Sequence, residues 1–186
     1  MDLHSPFIDE RTLRALARRC QVRLSETSCQ LALAESCTGG LIGATLSSVS
    51  GASAIYLGSV VAYDNRLKQQ LLGVSPDTIE RYGAVSAPVV RNMAEGVMRL
   101  TGADLGLAAT GVAGPGGGSE AKPVGTVYLA LARAEQPTWV RQHYFEGDRE
   151  AVRLATTQAL LRWVAGLPAE AFTAEGIAPA GVPVGS

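Results

Sequence analysis

The chain has little with which to build a disulfide framework or a metal centre. Its three cysteines, Cys20, Cys29 and Cys37, form no Cys-x-x-Cys pair, and only two histidines, His4 and His143, accompany them. That argues against a disulfide scaffold and a structural zinc site. It also makes a Ser-His-Asp arrangement hard to assemble, since His4 lies in the N-terminal lead and His143 in a late β-rich stretch. A charge excess is missing too: 16 Lys plus Arg against 17 Asp plus Glu leave −1, so no global field attracts polyanions. The expected anionic partner is therefore a small molecule and not nucleic acid. No stretch approaches about 18 uninterrupted apolar residues, and the N-terminus lacks a signal-type apolar core. No membrane segment is expected, and the simplest location is cytoplasmic.

What is there is one substantial core. With 186 residues and 47% hydrophobic content the chain has the size of a single domain. It is expected over residues 1–167, with 1–28 as a lead-in helix segment and the Ala/Gly/Pro-dominated residues 168–186 as a loose tail. Leu13, Leu16, Ala17, Cys20 and Leu24 recur at helical spacing in residues 9–24. Leu31 to Ala34 reads as a buried strand, and Thr38-Gly39-Gly40 as the opening of a helix to about Val49. A second strand is expected over 54–63, followed by Asp64 as N-cap and a helix to Leu72. Residues 76–82 read as a short helix, and Ser86 caps a longer one to about Leu100, stopped by Gly102. A third strand, 105–109, runs into a glycine-rich loop. Stretches 124–132 and 138–145 read as a hairpin, and a last helix starts at Gly147-Asp148 and reaches about Val164. The class is α/β, a three-layer α/β/α sandwich with a mixed, largely parallel sheet of about five strands.

Ligands of such sheets gather outside the carboxyl ends of the parallel strands. There the chain delivers Ser36 after the first strand, Tyr63 and Lys68 after the second, and Thr110 with the glycine loop after the third. Ser36 precedes a helix whose first N–H groups, around Thr38, Gly39 and Gly40, are expected to be free for an oxyanion. The plainer alternative is that Ser36 or Thr38 caps the helix. Lys68 is the candidate base, since burial disfavours an ammonium; the alternative is a solvated helix-face lysine. Tyr63 can orient the amine or relay a proton. Cys37 is the rival nucleophile, with His143 its one realistic partner, but a packing role is favoured.

The loop Gly114-Pro115-Gly116-Gly117-Gly118-Ser119 fits neither the Walker pattern nor Gly-x-Gly-x-x-Gly, so ATP and NAD folds are not indicated. It either lets backbone approach a ligand or is a flexible connection. Arg149 sits in the first turn of the last helix, where the dipole disfavours a cation; an anionic ligand, or simply Glu150, explains it there. Lys122 is a further possible phosphate contact, or a surface lysine.

Together these segments resemble the CinA C-terminal domain family, whose characterised enzymes are nicotinamide mononucleotide deamidases. The motifs are Ala34-Glu35-Ser36-Cys37-Thr38-Gly39-Gly40, Tyr63-Asp64-Asn65-x-x-Lys68, Gly83-Ala84-Val85-Ser86, the run from Thr110 to Thr126, and Gly147-Asp148-Arg149, over about residues 10–165. The resemblance implies hydrolysis of the nucleotide's carboxamide to nicotinate mononucleotide and ammonia, without metal or other cofactor. It implies Ser36 as nucleophile, Lys68 as general base and Tyr63 beside them. It also implies substrate contacts from Cys37, Thr38, Gly39 and Gly40, from Thr110, Gly111, Gly117, Gly118 and Ser119 along the glycine loop, and from Arg149 near the phosphate. The domain is expected to stand alone and to form a symmetric homo-oligomer. Two other readings stay open: a non-catalytic nucleotide- or partner-binding protein of the competence and DNA-damage response, and an amidase for another pyridine or nucleotide amide.

Overall fold

A computed structural model of the chain describes residues 9–168 and 171. Its five strands are β1 (Leu31–Glu35), β2 (Tyr56–Val61), β3 (Leu105–Gly111), β4 (Thr126–Arg133) and β5 (Trp139–Tyr144). They lie in the order β2-β1-β3-β4-β5, with β2, β1 and β3 parallel and β4 and β5 antiparallel to their neighbours. The six helices are α1 (Glu10–Ser25), α2 (Leu41–Ser47), α3 (Asn65–Leu72), α4 (Pro76–Tyr82), α5 (Ala87–Thr101) and α6 (Arg149–Gly166). This is the expected mixed sheet with helices on both sides.

The strand sequences assign the two faces by size. Along Leu31-Ala32-Leu33-Ala34 the leucines join the core shared with α1, α2 and α6, while the alanines join the core shared with α5. Strand alternation produces this split, and β3 and β4 repeat it with Leu107/Ala108 and Leu129/Ala130. Small residues on one face let α5 lie very close: a Cβ on Gly106 would strike the Ala94 carbonyl, and one on Gly96 the Leu72 carbonyl. Burying such apolar side chains contributes roughly 25 cal/mol per Å² removed from water.

Some boundaries differ from expectation. α2 begins at Leu41 and not at Thr38, because Gly39 and Gly40 take left-handed φ values of 60° and 94°. β2 is shorter than 54–63, because Ala52–Ala54 form a 3-10 turn and Tyr63 leaves the sheet. β4 starts at Thr126 because Gly125, at φ 97°, brings the chain against the Phe145 carbonyl. Of the expected loose tail, Ala171 is buried, and Arg133 donates to its carbonyl at 2.7 Å. Residues 169–170 and 172–186, like His4, lie outside the described residues. Among those described, no helix is long and apolar enough to cross a membrane.

Candidate active site

The turn after β1 is organised around Glu35, the last residue of that strand. Glu35 is fully buried. Its Oε2 accepts from Thr38 Oγ1 (2.8 Å), Gly40 N–H (3.0 Å) and Ile42 N–H (3.1 Å), and its Oε1 from Gly43 N–H (2.9 Å) and Ser59 Oγ (3.1 Å). Glu35, and neither Ser36 nor Thr38, therefore satisfies the start of α2. Neither Ser36 nor Thr38 caps α2: its N-cap residue is Gly40, and the Thr38 hydroxyl donates to the carboxylate. The expected set of free N–H groups also changes. Gly39 N–H is taken by the Ser36 carbonyl (3.1 Å) and Gly40 N–H by Glu35, while the N–H groups of Cys37 and Thr38 have no carbonyl partner among the described residues and lie against the Cys37 sulfur.

Ser36 continues the sheet through its N–H, which donates to the Ala109 carbonyl at 3.0 Å. Its hydroxyl has no hydrogen-bond partner among the described residues. It faces a cleft of about 250 Å³ together with Cys37, Tyr63, Asn65, Lys68 and Thr110. Serine and lysine thus meet in one cleft, as the strand order predicts.

Lys68 is not a solvated helix-face lysine: it is 1% exposed, the bulkiest fully buried side chain described. Its Nζ donates to the carbonyls of Ala62 (2.9 Å) and Tyr63 (3.0 Å). Burial holds its pKa below the ordinary 10.5, against the opposing pull of Asp64 and Cys37. Tyr63 does orient this amine, but through its backbone. The phenol is 57% exposed and accepts from Arg149 Nη2 at 2.8 Å.

Arg149 reaches the Gly114 carbonyl with Nη1 (3.0 Å) as well as the Tyr63 hydroxyl, so neutral oxygens hold it, and no Arg149–Glu150 ion pair forms among the described residues. One turn along α6, Arg153 donates from Nε (3.2 Å) and Nη2 (2.8 Å) to the Thr38 carbonyl. Both guanidiniums line a second cleft of about 850 Å³ that shares Ala113, Gly114 and Arg149 with the first. Arg153 was missed; its i,i+4 spacing from Arg149 on a helix was the available signal.

Thr110 donates to the Ala84 carbonyl at 3.0 Å, and with Gly111 and Gly117 it lines the small cleft. Thr38, Gly39 and Gly40 lie in the turn beneath it and do not line it. Gly118 packs on the Val124 backbone, and Ser119 closes a local turn in which its Oγ accepts from the Lys122 N–H at 3.1 Å. Lys122 Nζ bonds the Tyr82 carbonyl at 2.6 Å. Cys37 is buried, and burial pushes its thiol up to about 12. Its would-be partner His143, in β5, is stacked on Phe145 just beyond the strand, with centroids 5.3 Å apart, and does not line the cleft. Among the described residues, no group of three or more His, Cys, Asp or Glu is placed to hold a metal ion.

These features define an α/β protein with a free serine hydroxyl and a buried lysine at the carboxyl edge of its parallel strands. The chain belongs to the CinA C-terminal domain family, whose model matches residues 13–167. It is 52% identical over 134 residues to a putative competence-damage inducible protein of Desulforudis audaxviator, and 53% identical over 139 residues to a CinA-like protein of Geotalea daltonii. Those stretches cover 72% and 75% of this chain but only 32% and 33% of the relatives, so the chain spans about a third of their length. Among solved structures, the competence/damage inducible protein CihA of Agrobacterium tumefaciens matches with TM-score 0.79 and 37% identity, covering 82% of this chain and 93% of that one. A CinA superfamily protein of Escherichia coli matches with TM-score 0.77 and 32% identity over 90% and 94%.

Proposed function

We propose that the chain is a nicotinamide-nucleotide amidohydrolase that converts nicotinamide mononucleotide to nicotinate mononucleotide and ammonia. The observation that carries this reading is a fully buried lysine amine, fixed by two carbonyls, in the same cleft as a serine hydroxyl with no partner of its own. A neutral amine has two hydrogens and one lone pair. With the hydrogens given to Ala62 and Tyr63, the lone pair is left over, and in the proposed reaction the Ser36 hydroxyl, unbonded in this structure, turns toward it to hand over its proton.

In the proposed reaction Lys68 removes that proton as Oγ attacks the carboxamide carbon. Negative charge gathers on the carboxamide oxygen and is met by the N–H group of Cys37, which follows Ser36 and lines the same cleft. The resulting Lys68 ammonium protonates the departing amide nitrogen, which leaves as ammonia. Lys68, neutral again, activates a water that hydrolyses the acyl-enzyme. Arg149 and Arg153 line the larger cleft together with Asp148 and Glu150, and the two guanidiniums are the groups there that would take a nucleotide phosphate. The amide substrate itself rests on the family resemblance.

The test is ammonia release from nicotinamide mononucleotide by the wild type, Ser36→Ala and Lys68→Ala. Turnover lost in both variants is expected, and no release by the wild type refutes the reading. A second reading is a nucleotide- or partner-binding protein without turnover, of the competence and damage response for which the relatives are named. Tight nucleotide binding with no ammonia release, unchanged by Ser36→Ala, would support that one instead.

A further inference from the structure

We infer that Glu35 is a positioning residue that aligns both Ser36 and Lys68; this rests on the amidohydrolase reading. A carboxylate that merely capped α2 would need one or two N–H groups of the first turn. Glu35 takes three, at Gly40, Ile42 and Gly43, and adds the hydroxyls of Thr38 and Ser59. All five contacts are accepted, as a carboxylate requires, and no basic side chain pairs with it among the described residues. The positive end of α2 is thereby matched by the protein's own anion. In the proposed reaction the substrate's charge is met one step earlier in the chain, at the Cys37 N–H, in the same turn that the Thr38–Glu35 bond ties down.

The main chain of the same residue reaches the base. The Glu35 carbonyl accepts the Ala62 N–H at 2.8 Å, and the Ala62 carbonyl accepts from Lys68 Nζ at 2.9 Å. Ser59, bonded to the carboxylate, belongs to the strand that ends just before Ala62. One residue therefore ties the nucleophile turn to the strand end that carries the amine.

The experiment compares wild type, Glu35→Gln and Thr38→Val by steady-state kinetics on nicotinamide mononucleotide. In parallel it follows the rate at which a fluorophosphonate labels Ser36, corrected for the folded fraction. Glu35→Gln puts an amide NH₂ against donors, so kcat and the labelling rate are expected to fall together by about 100-fold with KM nearly unmoved. Thr38→Val leaves the carboxylate in place and is expected to lower both by about tenfold, which decides the matter if Glu35→Gln does not fold. Wild-type rates per folded molecule in either variant overturn the inference, because a purely structural role would reduce only the amount of folded protein. A wild type that labels at Ser36 but releases no ammonia refutes the substrate reading alone, leaving the labelling rates to judge Glu35. A wild type that does neither refutes both.

Discussion

Lys68 Nζ lies 3.0 Å from the carbonyl oxygen of Tyr63, whose own hydroxyl turns the other way to meet Arg149 at 2.8 Å. One residue thus holds the Lys68 amine with its backbone and the Arg149 guanidinium with its side chain. Tyr63→Phe is accordingly expected to leave the pH midpoint of kcat where it is and to raise KM by several-fold. Arg149→Ala should raise KM further, with Arg149→Lys failing to restore it, since an ammonium cannot span the Gly114 carbonyl and the phenol together. A Tyr63→Phe enzyme whose kcat profile moved would instead make the phenol the proton relay.

Lys68 sets a pH dependence with a defined sign. Its folded pKa is depressed below 10.5, so between the two values the unfolded chain binds more protons than the folded one. Stability is expected to rise with pH across that interval, and activity with it as the neutral amine accumulates. Lys68→Met should flatten the rise in denaturation midpoints measured from neutral to alkaline pH and abolish ammonia release. Lys68→Arg should not rescue turnover, because guanidinium stays charged.

Cys37 is expected to be dispensable for chemistry. With its pKa pushed up to about 12 the thiol stays protonated near neutrality, and Ser36 holds the free hydroxyl. Cys37→Ala should keep most of kcat while lowering thermal stability by about 1–2 kcal/mol through lost packing. Native-state titration with a thiol reagent should find Cys37 slow to react. Fast reaction, or full activity in Ser36→Ala, would reassign the nucleophile.

Gly43 offers a steric test of the same turn. Glycine within a helix ordinarily costs up to about 1 kcal/mol against alanine, so Gly43→Ala would normally stabilise. Here the added methyl would run into the hydroxyls of Tyr56 and Ser59 and press on Glu35 Oε1 at 3.2 Å. The expected outcome is a lower melting temperature together with a lower kcat.

The meeting of Ser36, Lys68 and Thr110 was legible because strand-turn-helix patterns fix which residues stand at the carboxyl ends of parallel strands. The five-strand mixed sheet followed from the same alternation. What local pattern could not convey was burial of charge. Glu35 reads in sequence as the polar end of a strand, and only the folded neighbourhood of Thr38, Gly40, Ile42, Gly43 and Ser59 shows why it points inward. The helix start was misplaced because Gly39 and Gly40 resemble an opening turn until their positive φ is seen. The direction of the Tyr63 ring depends on Arg149, 86 residues away, and no spacing rule spans that distance.

The bond from Arg153 to the Thr38 carbonyl reaches further than its two contacts. That carbonyl shares a peptide group with the Gly39 N–H, which donates to the Ser36 carbonyl, and the Ser36 carbonyl in turn shares a peptide group with the Cys37 N–H. Each link polarises the next, by roughly 10–30% per bond in condensed-phase estimates. A guanidinium on the last helix therefore acts as a remote electron-withdrawing substituent on the peptide that joins Ser36 to Cys37. It makes that N–H a stronger donor without bringing a formal charge up to Ser36.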